Sequence, residues 1–133
     1  MTQFFEQNPE AGAEFTAICA AMREYLKMTE PLPFAEFEAY HKRVMAFLQA
    51  YYQDLGQEQL LICDRICRVV RQNALNRAIA DRLNRKKFGK IEEKCKLWAG
   101  AIDMRLYKEG MTEAEMDERE DALWAAILDP SAT

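Results

Sequence analysis

The chain has 133 residues, half of them apolar and 30% charged, and carries a formal net charge of −4. That length corresponds to one domain with enough core to fold without staples, and the composition argues against wholesale disorder. Five glycines and four prolines are too few for the turns of an all-β protein, and no apolar run approaches the roughly 20 residues that span a bilayer.

The N-terminal stretch "MTQFFEQNPEAGAEF" has neither a basic region nor a long apolar core, so no secretory signal is read there. Cys19, Cys63, Cys67 and Cys95 show no disulfide-framework spacing. Both observations predict a cytoplasmic protein with no membrane partner.

Apolar residues recur at three and four, which predicts helices. The first runs from Ala11 to Met28 with Phe15, Ile18, Cys19, Met22, Tyr25 and Leu26 inward, and "TEPLP" breaks it. The second starts near Phe34 and ends before Gly56, which suits a left-handed helix terminus. The third segment, Gln57 to Phe88, either bends at Gln72–Asn73 or divides there with Asn73 as a cap. Its apolar residues trace two stripes, one through Leu60, Cys63, Cys67, Val70, Ala74 and Ala78, the other through Leu75, Ile79 and Leu83. Gly89 is expected to separate it from a fourth helix reaching Tyr107, closed by Gly110. Thr112 and Glu115 then stand in capping-box register at the head of a last helix that stops at Pro130. The fold class is all-α: a single-domain bundle of five to six helices over residues 1–133, with 1–10 and 130–133 loosely ordered.

Catalytic and metal chemistry find little support. His41 is the only histidine. Glu38 and His41 share a helix face at the spacing used by di-iron carboxylate bundles, but those need a second such pair. A solvated helix face is the expectation. In "EAEMDERED" the carboxylates overlap on one helix, where they cannot converge on Mg²⁺ as two-helix sites do. The four cysteines fall on apolar stripes and read as small buried hydrophobes. No metal, no cofactor, no small-molecule substrate and no catalytic residue are predicted.

Charge distribution is the informative feature. Residues 1–60 hold four basic and nine acidic side chains (net −5), residues 61–96 eleven and four (net +7), and residues 97–133 three and nine (net −6). Such a change of sign points to an anionic partner or an internal one. "IADRLNRKKFGKIEEKCKLW" resembles a helix-turn-helix loosely, with Ile79, Ala80 and Leu83 packing inward and "NRKKFGK" as the turn. Arg82, Arg85, Lys86, Lys87, Lys90 and Lys94 would then meet a nucleic acid. Glu92 and Glu93 oppose that reading, because they would lie where phosphates approach. The favoured expectation is a non-catalytic protein that binds another protein or its own copy. Arginines such as Arg65, Arg68 and Arg71 would pair with the acidic first and last helices, within the chain or across a dimer. Tyr52, Trp124, Ile127 and Leu128 are the candidate interface residues, because the "ALWAAIL" end is apolar nearly all round. A third expectation has the acidic 113–121 segment covering the basic one until a polyanion displaces it.

Overall fold

The computed structural model describes residues 3–132, and among them all regular structure is helical. Six α-helices follow in order: α1 Gln3–Gln7, α2 Pro9–Lys27, α3 Phe34–Tyr51, α4 Gln57–Ala80, α5 Arg85–Lys108 and α6 Glu113–Leu128. Single turns of 3-10 helix occupy Tyr52–Asp54 and Pro130–Ala132. Two compact units result, one from the described residues up to Gly56 together with those from Ala125 onward, the other Gln57–Trp124.

In the first unit α2 and α3 run antiparallel, joined through the Pro31–Pro33 break. Tyr40 Oη donates to the Ile18 carbonyl at 3.0 Å, and Arg43 grips Glu14 with two bonds of 2.6 and 2.8 Å. That bidentate contact holds the Glu14 carboxyl below its ordinary range. Tyr25 meets the Tyr40 ring edge-on at 5.0 Å. Residues 3–7, expected to be loosely ordered, form a helical turn instead. Its anchor is aromatic: Phe5 stacks on Phe15 at 5.5 Å and Phe4 on Tyr51 at 5.9 Å. Gly12 makes room for it, since a Cβ there would lie 3.1 Å from Phe5 Cβ.

The second unit is built on the antiparallel pair α4 and α5. Leu60, Cys63, Cys67, Val70 and Ala74 of α4 face Phe88, Ile91, Cys95, Ala99, Ile102 and Leu106 of α5, all buried. Three readings of this region change. Neither a bend nor a cap interrupts α4 at Asn73, whose side chain donates to the Val69 carbonyl one turn back. The turn lies at residues 81–84, because Asp81 accepts bonds from both the backbone and side-chain nitrogens of Asn84. Arg85 then donates to the Ala78 and Ile79 carbonyls, satisfying the open end of α4. Gly89 falls inside α5, and "NRKKFGK" is mostly helix. Two 24-residue helices packed side by side along their length also replace the steeply crossed helix-turn-helix.

The expected helix ends at α5 and α6 are present. Gly110 has φ +94°, Met111 N donates to Leu106 O and Gly110 N to Tyr107 O, which is a Schellman ending. Thr112 and Glu115 exchange the reciprocal bonds of a capping box. Gly56, by contrast, does not take positive φ.

Gly89 and Gly110 should respond oppositely to alanine. A Cβ at Gly89 meets nothing within 4 Å, so Gly89→Ala should raise the unfolding free energy by about 0.5–1 kcal/mol. Gly110→Ala should lower it by about 1 kcal/mol or more, because its left-handed backbone strains any side chain. Urea denaturation of both variants checks the pair.

Candidate protein-binding surface

The arginines of α4 are spent inside the second unit. Glu120 of α6 is 3% exposed and receives both Arg65, whose Nε stands 2.8 Å from Oε1, and Arg68 through Nη2. Arg65 reaches on to Asp121 at 2.5 Å and lies over the Trp124 ring at 5.4 Å. Arg71 pairs with Glu92 at 2.9 Å, and Arg77 stacks on Phe88 at 5.0 Å. Charge complementarity within the chain therefore holds for Arg65 and Arg68 against the last helix. Glu120 is thus buried and paired, not solvated.

Beneath this network lies a carboxyl pair. Asp64 of α4 is 2% exposed and hydrogen-bonds Asp103 of α5. Burial first, then the bond and the charge of Asp103, push the Asp64 carboxyl up to about 8, against a weaker pull from Arg68. Asp64 therefore holds a proton and donates it to Asp103. The bond satisfies each group only in part, since Oδ1 of both is buried without a hydrogen-bond partner among the described residues. Arg68 Nε stands 3.5 Å from Asp64 Oδ1, too far for a well-formed bond. Sequence reasoning missed this pair. The available signal was an aspartate inside the apolar run "LLICDRIC".

His41 is buried, not solvated, and Glu38 pairs with Lys42 at 3.8 Å. Among the described residues no three histidine, cysteine, aspartate or glutamate side chains are placed to hold a metal ion. All four cysteines are buried, and among the described residues they form no disulfide. Burial raises Cys19 to about 11, and a hydrogen bond with Cys95, then burial, holds Cys67 well above the ordinary thiol value, so these thiols are poor nucleophiles. No helix among the described residues is long and apolar enough to cross a membrane.

The basic candidates divide. Arg85 is committed to the α4 carbonyls. Lys87 has a contact of its own. Arg82, Lys86, Lys90 and Lys94 are exposed and form no ion pair among the described residues. Among the described residues the carboxylates of α6 pair with Arg65 and Arg68, and none pairs with Arg82, Lys86, Lys90 or Lys94 as the expected cover would require.

At the same end of the hairpin as Arg82 and Lys86 lies an apolar surface that was expected to be inward. Leu75, Ile79 and Leu83, spaced four apart, are 40%, 79% and 93% exposed. The reason is geometric. α6 covers α4 at Arg65 and Arg68, and further along the same side of α4 no described element covers Leu75 and Ile79. Of the proposed interface residues, Trp124 is buried under Arg65, so it does not protrude. Tyr52 and Ile127 are half-buried, the Ile127 carbonyl accepting from Arg23 at 3.1 Å. Leu128 is 38% exposed. No protein-family model matches the chain, and no curated protein or solved structure matches it.

The carboxyl pair carries a pH signature. The folded chain holds the Asp64 proton up to about pH 8, whereas an unfolded aspartate releases it near 3.8. Between those values the folded state binds the extra proton, so stability falls as pH rises from about 4 to about 8. Asp64→Asn, neutral and still a donor to Asp103, should flatten that slope. Urea midpoints at about pH 5 and about pH 8 for both proteins measure it.

Proposed function

We propose that this chain acts by binding and not by catalysis, in the cytoplasm, and that the α4–α5 hairpin tip docks an acidic amphipathic segment of another protein. One observation carries the reading: Leu75, Ile79 and Leu83 are exposed at the end of the hairpin where Arg82 and Lys86 are also exposed and form no ion pair among the described residues. Apolar side chains four apart suit the contact face of a helix laid alongside, and the flanking cations suit carboxylates at its rim. Exposed aliphatic side chains at this level, grouped and rimmed by charge, are typical of an interaction surface.

A nucleic-acid partner is the second reading, favoured by Arg82, Lys86, Lys90 and Lys94, which form no ion pair among the described residues. It leaves the stripe without a role, and Glu93 stands among the lysines with no ion pair among the described residues. Phosphate contacts need the cations alone, whereas a protein partner needs the stripe as well.

The two readings separate in one titration. The probes are a labelled amphipathic peptide of about 20 residues, leucine on one face and glutamate on the other, and labelled single- and double-stranded DNA and RNA. Anisotropy at about 50 and about 200 mM salt should show the peptide bound, more weakly at the higher salt. Affinity for the peptide should fall about tenfold or more in Ile79→Asp/Leu83→Asp and also in Lys86→Glu/Lys90→Glu. Nucleic-acid binding lost in the lysine variant but kept in the apolar one would replace the protein reading. No binding of any probe would remove the tip as a docking surface.

A further inference from the structure

α5 carries a second apolar stripe on the side away from α4. Its inner residues, Phe88 through Leu106, are packed. On the outer side Leu97 is 67% exposed and Met104 57% exposed, seven residues apart, with Gly100 and Ala101 exposed between them. A helix with apolar stripes on both sides has one more neighbour than the chain supplies. Spacing of seven keeps such a stripe on one line along a partner helix.

The ends of this stripe have opposite charge. Glu93 precedes Leu97 by one turn and Lys108 follows Met104 by one turn, and neither makes an ion pair among the described residues. Two copies of α5 laid antiparallel about the Gly100–Ala101 peptide bring Leu97 beside Met104 of the other copy. The same operation brings Glu93 beside Lys108, twice. Small residues at the centre let the two backbones approach closely. A surface that complements itself under a twofold rotation, in charge and in shape, is the requirement for an isologous dimer. A membrane surface or a nucleic acid does not explain a carboxylate at one end and an ammonium at the other.

We infer that the outer face of α5, Glu93 to Lys108, is a homodimer interface in which a second copy packs antiparallel across Gly100 and Ala101. Lys94 falls within this stretch of α5 as well as among the cations named above, but the contact stands whether or not the tip binds protein.

Sedimentation equilibrium of the full chain over a concentration series tests it, with the expected mass at the upper end twice 15.5 kDa. Leu97→Glu/Met104→Glu should leave a monomer with unchanged helical circular dichroism, since both side chains are exposed. Glu93→Lys should weaken the dimer about tenfold or more by setting like charges opposite one another. Adding Lys108→Glu to Glu93→Lys should restore it, which a merely structural effect would not do. A monomer at every concentration, a dimer untouched by Leu97→Glu/Met104→Glu, or a charge swap that fails to rescue would each overturn the interface.

Discussion

The arrangement of the second unit rests on one buried carboxylate. Glu120 is brought out of water on α6, and a carboxylate so placed is tolerable only with cations and donors around it. Arg65 and Arg68, one turn apart on α4, provide both. Their spacing decides where α6 meets α4, and thereby which half of the α4–α5 pair is roofed and which is bare. Upstream of Arg68 nearly every α4 residue is buried, including Gln59 and Asp64. Downstream, only the inner stripe is buried and Leu75 and Ile79 face water.

Such a network is a weaker source of stability than its contacts suggest, since desolvation offsets much of the attraction. Its effect is on register. A slide of α6 by one turn along α4 would leave Glu120 buried without both guanidinium groups, a state several kcal/mol higher by the usual penalty for an unpaired buried charge. The Asp64–Asp103 pair acts in the same way between α4 and α5. Two carboxyls accept each other in the interior only by sharing a proton, so that contact is tied to one alignment of the hairpin.

Much of the fold was legible in the chain. The break between α2 and α3, the end of α5 and both ends of α6 are written in strong punctuation: Pro31–Pro33, Gly110, the Thr112–Glu115 box and Pro130. The hairpin turn was misplaced because Gly89 looks like a breaker, while Asp81 and Asn84 close the turn through side-chain bonds that leave a fainter mark. α1 was missed because a five-residue helix has no periodicity to read and is anchored through the rings of Phe4 and Phe5. The cations of the candidate surface could be read from local charge. Their apolar neighbours could not be placed, because periodicity tells which residues share a face and not whether another element comes to cover it. Asp64 and Glu120 were hidden for the same reason. Each sits where burial is decided by a helix distant in sequence.

The bare half of the hairpin has an energetic consequence. Past Arg68, α4 and α5 are held by each other, the Arg71–Glu92 pair, the Arg77–Phe88 stack and the closure at Asp81, Asn84 and Arg85. A two-helix segment with one shared stripe opens at lower free energy than a region packed on several sides. The tip is thus the place where the second unit unzips first, at an opening energy below that of global unfolding. A ligand that covers Leu75, Ile79 and Leu83 adds its binding energy to the closed form alone. Local melting and docking become one equilibrium, and the affinity of the surface is set partly by how firmly the tip stays wound when nothing is bound.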